Sequence, residues 1–287
     1  MPEIAWRGDA SPRAKTLAAL RLALARIEGR SDGGVQAASM ERARLFSLGA
    51  ADVDAFLGGG LSRASLHEVL APRGADWSAA SGFALALALR AAAGRPVLWA
   101  RQDFLEAEAG RLNGVGLAEF GVDPAVFSLV LGRDAQAVLR AAVDAARCRS
   151  LGAAMIEISG CPRALDLTAT LRLARAAERS GVTLFLLRIR VGEATRAPPS
   201  AAVSRWRAHA QNSRPLFANA PGAPNFSVTL LRHRGGAADR SWRLEWQRDR
   251  GFLREIAEAR NAPLSGLVPA FPGDGAAVSA TPRRRAG

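Results

Sequence analysis

Residues Ala71, Pro72, Arg73, Gly74, Ala75, Asp76, Trp77 and Ser78 lie between an apolar run that reads as a strand and a long apolar run that reads as a helix. A strand, a tight turn and a helix N-terminus together form the setting in which backbone N–H groups close around phosphate. The chemistry needs a particular pattern, GxxxxGK followed by Ser or Thr. The glycines allow close backbone approach, the lysine neutralises the β/γ charge, and the hydroxyl holds magnesium. Here Ala71 stands at the first glycine, Asp76 at the second and Trp77 at the lysine, and Ser78 alone keeps its type. A carboxylate would face the polyphosphate and an indole would fill its space. The segment Ala71 to Ser78 is therefore read as a degenerate nucleotide loop, with no ATP hydrolysis, no catalytic residue, no cofactor and no metal expected.

The elements around it alternate. "SLHEVLA", "PVLWA", "AAMIEIS" and "VTLFLLRIR" read as strands, and "SAASGFALALALRAAA", "AQAVLRAAVDAARCRS" and "DLTATLRLARAAERS" as helices. Strands separated by helices long enough to cross over predict an α/β fold, a mostly parallel sheet covered by helices. "NFSVTLLRHR" and "RSWRLEWQ" flank the turn-like "GGAAD" and predict an antiparallel C-terminal hairpin at the sheet edge. In "TLAALRLALARI", Leu17, Leu20, Leu24 and Ile27 fall on one helical face, and "EGRSDGGVQAAS" follows as a flexible connector. That helix docks either on its own domain or on another subunit. Residues 1–40 are thus a helix and linker, 41–250 a core, and 251–287 a Pro/Gly-rich basic tail ending in Arg283, Arg284 and Arg285, expected to be disordered.

The chain has 287 residues, 49% of them hydrophobic and 23% charged, which is globular composition with room for one sizeable core. A net charge of +13 favours acidic partners such as nucleic acid. Against that, Lys15 is the only lysine and tyrosine is absent, so part of the arginine content is equally readable as base composition. Cys148 and Cys161 lack CxxC spacing, and His67, His209 and His233 are scattered, so neither a disulfide framework nor a zinc site is indicated. With no signal-like N-terminus and no apolar run long enough to span a bilayer, a cytoplasmic protein is expected.

The flanks of the loop carry a resemblance. "FSLGAADVDAFLGGGLSRASLHEVLAPRGADWS", Phe46 to Ser78, resembles the approach to the ATPase core of RecA-type recombinases, and "TLAALRLALARIEGR" is similar to the N-terminal helix that packs on a neighbouring RecA subunit. "PVLWARQD", "LAEFGVDPAVFSLVL" and "AAMIEISG" follow in RecA order. With "SRWRAHAQNSRP" and "FSVTLLRHRGG", the whole most resembles the ImuA family, RecA-like accessory proteins of damage-inducible mutagenesis that lack a functional phosphate loop.

That resemblance implies a non-catalytic RecA-fold adaptor in the SOS response, supporting error-prone translesion DNA synthesis. Its partners would be an inactive Y-family polymerase homologue, an error-prone replicative-type polymerase and RecA. It also places the RecA catalytic glutamate near Arg101 or Gln102, the nucleotide-sensing glutamine at Arg188, and the magnesium-associated acid near Glu157, although an acid at a strand end is as often a sheet-edge hydrogen-bonding group. Arg232 and Arg234 fall where RecA presents two lysines to a neighbour's ATP, although charges protecting an edge strand explain them equally. Arg196, Arg205, Trp206 and Arg207 follow the strand that leads to a RecA DNA-binding loop, where arginines would hold phosphates and Trp206 would stack on bases or else be buried. The alternatives are a SulA-like inhibitor of cell division acting on FtsZ, a regulator that caps RecA filaments, and an active ATPase with an unusual loop, which Asp76 and Trp77 argue against.

Overall fold

A computed structural model describes residues 44–190, 198–217, 220, 222–236 and 238–256. The amphipathic helix of Leu17, Leu20, Leu24 and Ile27, Arg196, and the tail beyond Ile256 lie outside the described residues.

The chain opens with a two-stranded antiparallel ribbon, β1 (Leu45–Phe46) and β2 (Leu61–Ser62), around the short helix α1 (Ala51–Phe56). The start of α1 is held from both sides. The Asp54 carboxylate accepts from Leu48 N, Gly49 N and the Ser47 hydroxyl, while the Glu255 carboxylate, two hundred residues on in the chain, accepts from Asp52 N and Val53 N. Then follow β3 (Leu66–Ala71), α2 (Trp77–Ala92), β4 (Val97–Gln102), α3 (Leu105–Ala109) and α4 (Gly114–Glu119). The second half runs β5 (Phe127–Gly132), α5 (Ala135–Arg147), β6 (Ala153–Ser159), α6 (Leu167–Ser180), β7 (Thr183–Ile189), β8 (Ser204–Gln211), β9 (Asn225–His233), β10 (Arg240–Gln247) and β11 (Phe252–Glu255).

The nine longer strands form one sheet in the order β11-β10-β9-β8-β3-β7-β6-β4-β5. The six from β8 to β5 pair in parallel, and β9, β10 and β11 add an antiparallel wing. The α/β alternation and the β9–β10 hairpin of the sequence reading are both present. Strand β11 corrects its boundary: Phe252 to Glu255 pair with β10 as part of the sheet, so the core continues to Ile256 rather than ending at residue 250.

Strand alternation divides the sheet's side chains between two cores. On one face Val69, Trp99, Met155, Phe185, Leu187, Trp206 and Val228 pack on α2. This helix is apolar nearly all round, with Phe83, Ala84, Leu85, Ala86, Leu87 and Ala88 all buried, because it is covered on most sides. The other face packs Leu66, Ile156, Leu184 and Leu186 under α5 and α6. These two helices are amphipathic, burying Val138, Leu139 and Ala142 on α5 and Leu173 and Ala177 on α6, and Asp134 and Asp166 cap their N-termini by accepting from Ala137 N and Ala169 N.

Candidate functional site

The loop between β3 and α2 is closed on itself. After Ala71 the chain passes through Pro72 and Arg73 into a single 3-10 turn, Gly74–Asp76, and α2 begins at Trp77. Asp76 is buried and accepts both Arg73 Nε and Nη2, at 2.8 and 3.0 Å, and its Oδ1 lies 3.0 Å from His209 Nδ1 of β8. The hydrogen bonds from Arg73 hold the carboxyl below its ordinary range, with His209 adding to the effect against the opposing cost of burial. A carboxylate so held occupies the mouth of the turn.

Trp77 turns inward. Its indole N–H donates to Glu157 Oε1 of β6, while Trp99 Nε1 of β4 donates to Glu157 Oε2 at 2.8 Å. Arg101, two residues along β4 on the same face, brings Nε to 3.3 Å from Glu157 Oε2 and sets its guanidinium over the Trp77 ring. Burial pushes the Glu157 carboxyl above its usual range, and Arg101 and the two indoles offset part of that push. Glu157 thus spends both oxygens on protein donors.

The neighbouring positions are engaged too. Gln102 Oε1 accepts from Ser159 N at 2.9 Å, tying the ends of β4 and β6. Neither Arg101 nor Gln102 presents a carboxylate to a water. Arg188 falls on the opposite face of the sheet from Glu157, where it is fully buried with its Nε 2.6 Å from Glu68 Oε1 of β3.

A cavity of ≈ 470 Å³ remains beside the loop, lined in part by Trp77, Ser78, Arg101, Glu108, Glu157 and Arg190. Its guanidiniums are paired: Arg101 with Glu157, Arg190 with Glu108 at 2.7 Å, and Arg111, also on the wall, with Glu106 at 3.2 Å. A polyphosphate entering here would have to break an ion pair for each arginine it used. Among the described residues no cluster of His, Cys, Asp and Glu could hold a metal ion.

The other sequence-predicted residues lie elsewhere. Trp206 is a core residue on β8, wholly buried against Phe83 and Trp242 with its N–H donated to Ser204 Oγ, and offers no face to a base. That corrects the stacking role, and strand alternation in "SRWRAHAQ" was the available signal. Arg205 donates to Glu68 Oε2 at 2.6 Å and to Pro198 O at 2.7 Å, so it braces the sheet. Arg207 is half-buried on the same strand. Arg232 donates to the carbonyls of Ser200 and Ala202, and Arg234 is exposed just past the end of β9 rather than on the strand. Glu68, Trp99 and His209 were not singled out from sequence. An acid inside the apolar strand "LHEVLA" was the available sign of the first.

No protein-family model matches this sequence, and none of the curated proteins matches it either. Among solved structures, the chain is similar to one described as the crystal structure of the RadB recombinase. The TM-score is 0.51 and the identity 16%, over 74% of this chain and 100% of that one. At that identity the likeness establishes architecture. The chain has a RecA-like α/β fold, with a mostly parallel sheet between helices and an antiparallel wing. No helix among the described residues is long and apolar enough to cross a membrane.

Proposed function

We propose that this chain is a non-catalytic adaptor built on the RecA-like fold. It would act in the SOS response to DNA damage, supporting error-prone translesion synthesis by holding together an inactive Y-family polymerase homologue and an error-prone replicative-type polymerase, with RecA as a further contact. The observation that carries the non-catalytic part is Glu157. The carboxylate where a RecA-like ATPase needs a magnesium partner is bonded to Trp77, Trp99 and Arg101. Asp76 and Arg73 close the turn in which phosphate would sit. The adaptor part rests on the RecA-like resemblance of Phe46 to Ser78 and the ImuA-like resemblance of the C-terminal half.

The experiment is co-purification of the full chain with the polymerase homologue, with and without Mg-ATP. A stoichiometric complex indifferent to Mg-ATP is expected. Absence of a complex with that homologue, together with inhibition of FtsZ assembly, would replace this reading with cell-division control.

A further inference from the structure

Two cavities differ in how their arginines are paired. The one beside the loop is balanced arginine by carboxylate. The second, a groove of ≈ 630 Å³ between α5 and α6, is lined by Arg147, Arg149, Arg172, Arg175 and Arg179, with Val143, Ala176 and Ser180 as its remaining wall. No carboxylate lines it, and among the described residues none of these five guanidiniums forms an ion pair. Asp144 and Glu178 lie on the same helices and are not part of the groove.

Base composition can supply arginines but does not place five unpaired ones around one groove. Part of the arrangement is ordinary: Arg147 and Arg179 sit in the last turns of their helices, where cations meet the negative end of the helix dipole. Arg172 and Arg175 do not, because they stand one and two turns into α6. Arg172, Arg175 and Arg179 follow one another at helical spacing along about 10 Å of α6. That span is about three steps of 3.4 Å along a nucleic-acid strand.

We infer that the α5–α6 groove binds the phosphate backbone of duplex DNA. Guanidinium forks match phosphate oxygens two at a time. With no aromatic side chain in the groove wall there is nothing for an unpaired base to stack on, so the contact is to backbone rather than to single-stranded bases. The groove opens at the end of the sheet where β6 and β7 begin, because α5 and α6 run back against the strands. It therefore lies at the end away from the degenerate loop, which follows the C-terminal end of β3. The inference stands on the groove alone and does not depend on the adaptor reading.

The test is binding of a fluorescent 20-base-pair DNA duplex to the full chain across a salt series. Three proteins are compared: wild type, an Arg172→Ala/Arg175→Ala/Arg179→Ala variant, and an Arg133→Ala/Arg214→Ala/Arg250→Ala variant that loses the same charge at other exposed positions. The groove variant should bind on the order of 100-fold more weakly at low salt, with the slope of log affinity against log salt shallower by about 2 to 3. The control should stay within a few-fold of wild type. Glutamine at the same three groove positions should behave like alanine, which keeps the result independent of any folding defect in one variant. Absence of salt-dependent duplex binding by the wild type, or equal losses in the two triple variants, would overturn the assignment. So would loss of binding to anionic phosphatidylserine vesicles in the groove variant with duplex binding intact.

Discussion

At Glu157 the side-chain environment is wholly protein. Two indole N–H donors and a guanidinium surround a carboxyl group that solvent does not reach, so protein donors take the place of water at both oxygens. Glu157→Gln would leave Arg101 buried without its counter-ion and set an amide N–H against an indole N–H. Breaking a buried pair on one side costs about 3–5 kcal/mol. Urea denaturation followed by tryptophan fluorescence should show a loss of that size, and a loss below about 1 kcal/mol would mean that Arg101 finds another partner. His67 offers a pH test at the same scale. Its Nε2–H donates to Ser62 O at 2.8 Å and its Nδ1 accepts from Ser204 at 2.7 Å, an arrangement that fits the neutral ring, and burial lowers its pKa to about 4. The unfolded chain takes up this proton first as pH falls from about 6.5, so stability is present above that pH and declines down to about 4, by roughly 3 kcal/mol. His67→Asn should be less stable at neutral pH and flatter across that window. A variant whose melting follows pH as steeply as wild type would show that the slope comes from other groups. That Ala71, Asp76 and Trp77 depart from the phosphate-loop pattern was legible from residue type alone. The bonding of Glu157 was not, because its donors come from the start of α2 and from β4, and no spacing in the sequence joins either element to β6.

At the scale of elements, the segment leading into β3 depends on a backbone that only glycine adopts. Gly60, between α1 and β2, has φ of +128°, and a Cβ there would fall 2.2 Å from Phe46 O, the strand it turns back to meet. Gly60→Ala should therefore cost at least about 2 kcal/mol and loosen the ribbon that packs Phe46 and Leu61 into the core. Thermal melting by circular dichroism checks it, and an unchanged melt would mean that the ribbon is not coupled to the sheet. The alternating α/β elements were legible because short continuous apolar runs, buried on both faces as strands of a parallel sheet, alternate with longer stretches of helical length. Strand β8 was passed over for the opposite reason. Arg205, Arg207 and His209 put charge at every second position and made a half-buried strand read as a basic loop, whereas Trp206 and Ala208 between them are fully buried.

At the scale of the whole molecule, charge is sorted by place rather than spread. The cleft beside the loop pairs its arginines with Glu106, Glu108 and Glu157, and the α5–α6 groove leaves its arginines without carboxylates. A net charge of +13 says only that an acidic partner is favoured. The distribution says that such a partner meets the α5–α6 face and that the cleft beside the loop has little electrostatic pull on a triphosphate. The measurement that bears most directly on this account is isothermal titration of the purified full chain with Mg-ATP. The account predicts no saturable heat up to millimolar nucleotide, with wild type and Ser78→Ala indistinguishable. Saturable Mg-dependent binding that weakens when Ser78 is replaced would contradict it, because the loop would then still be holding phosphate.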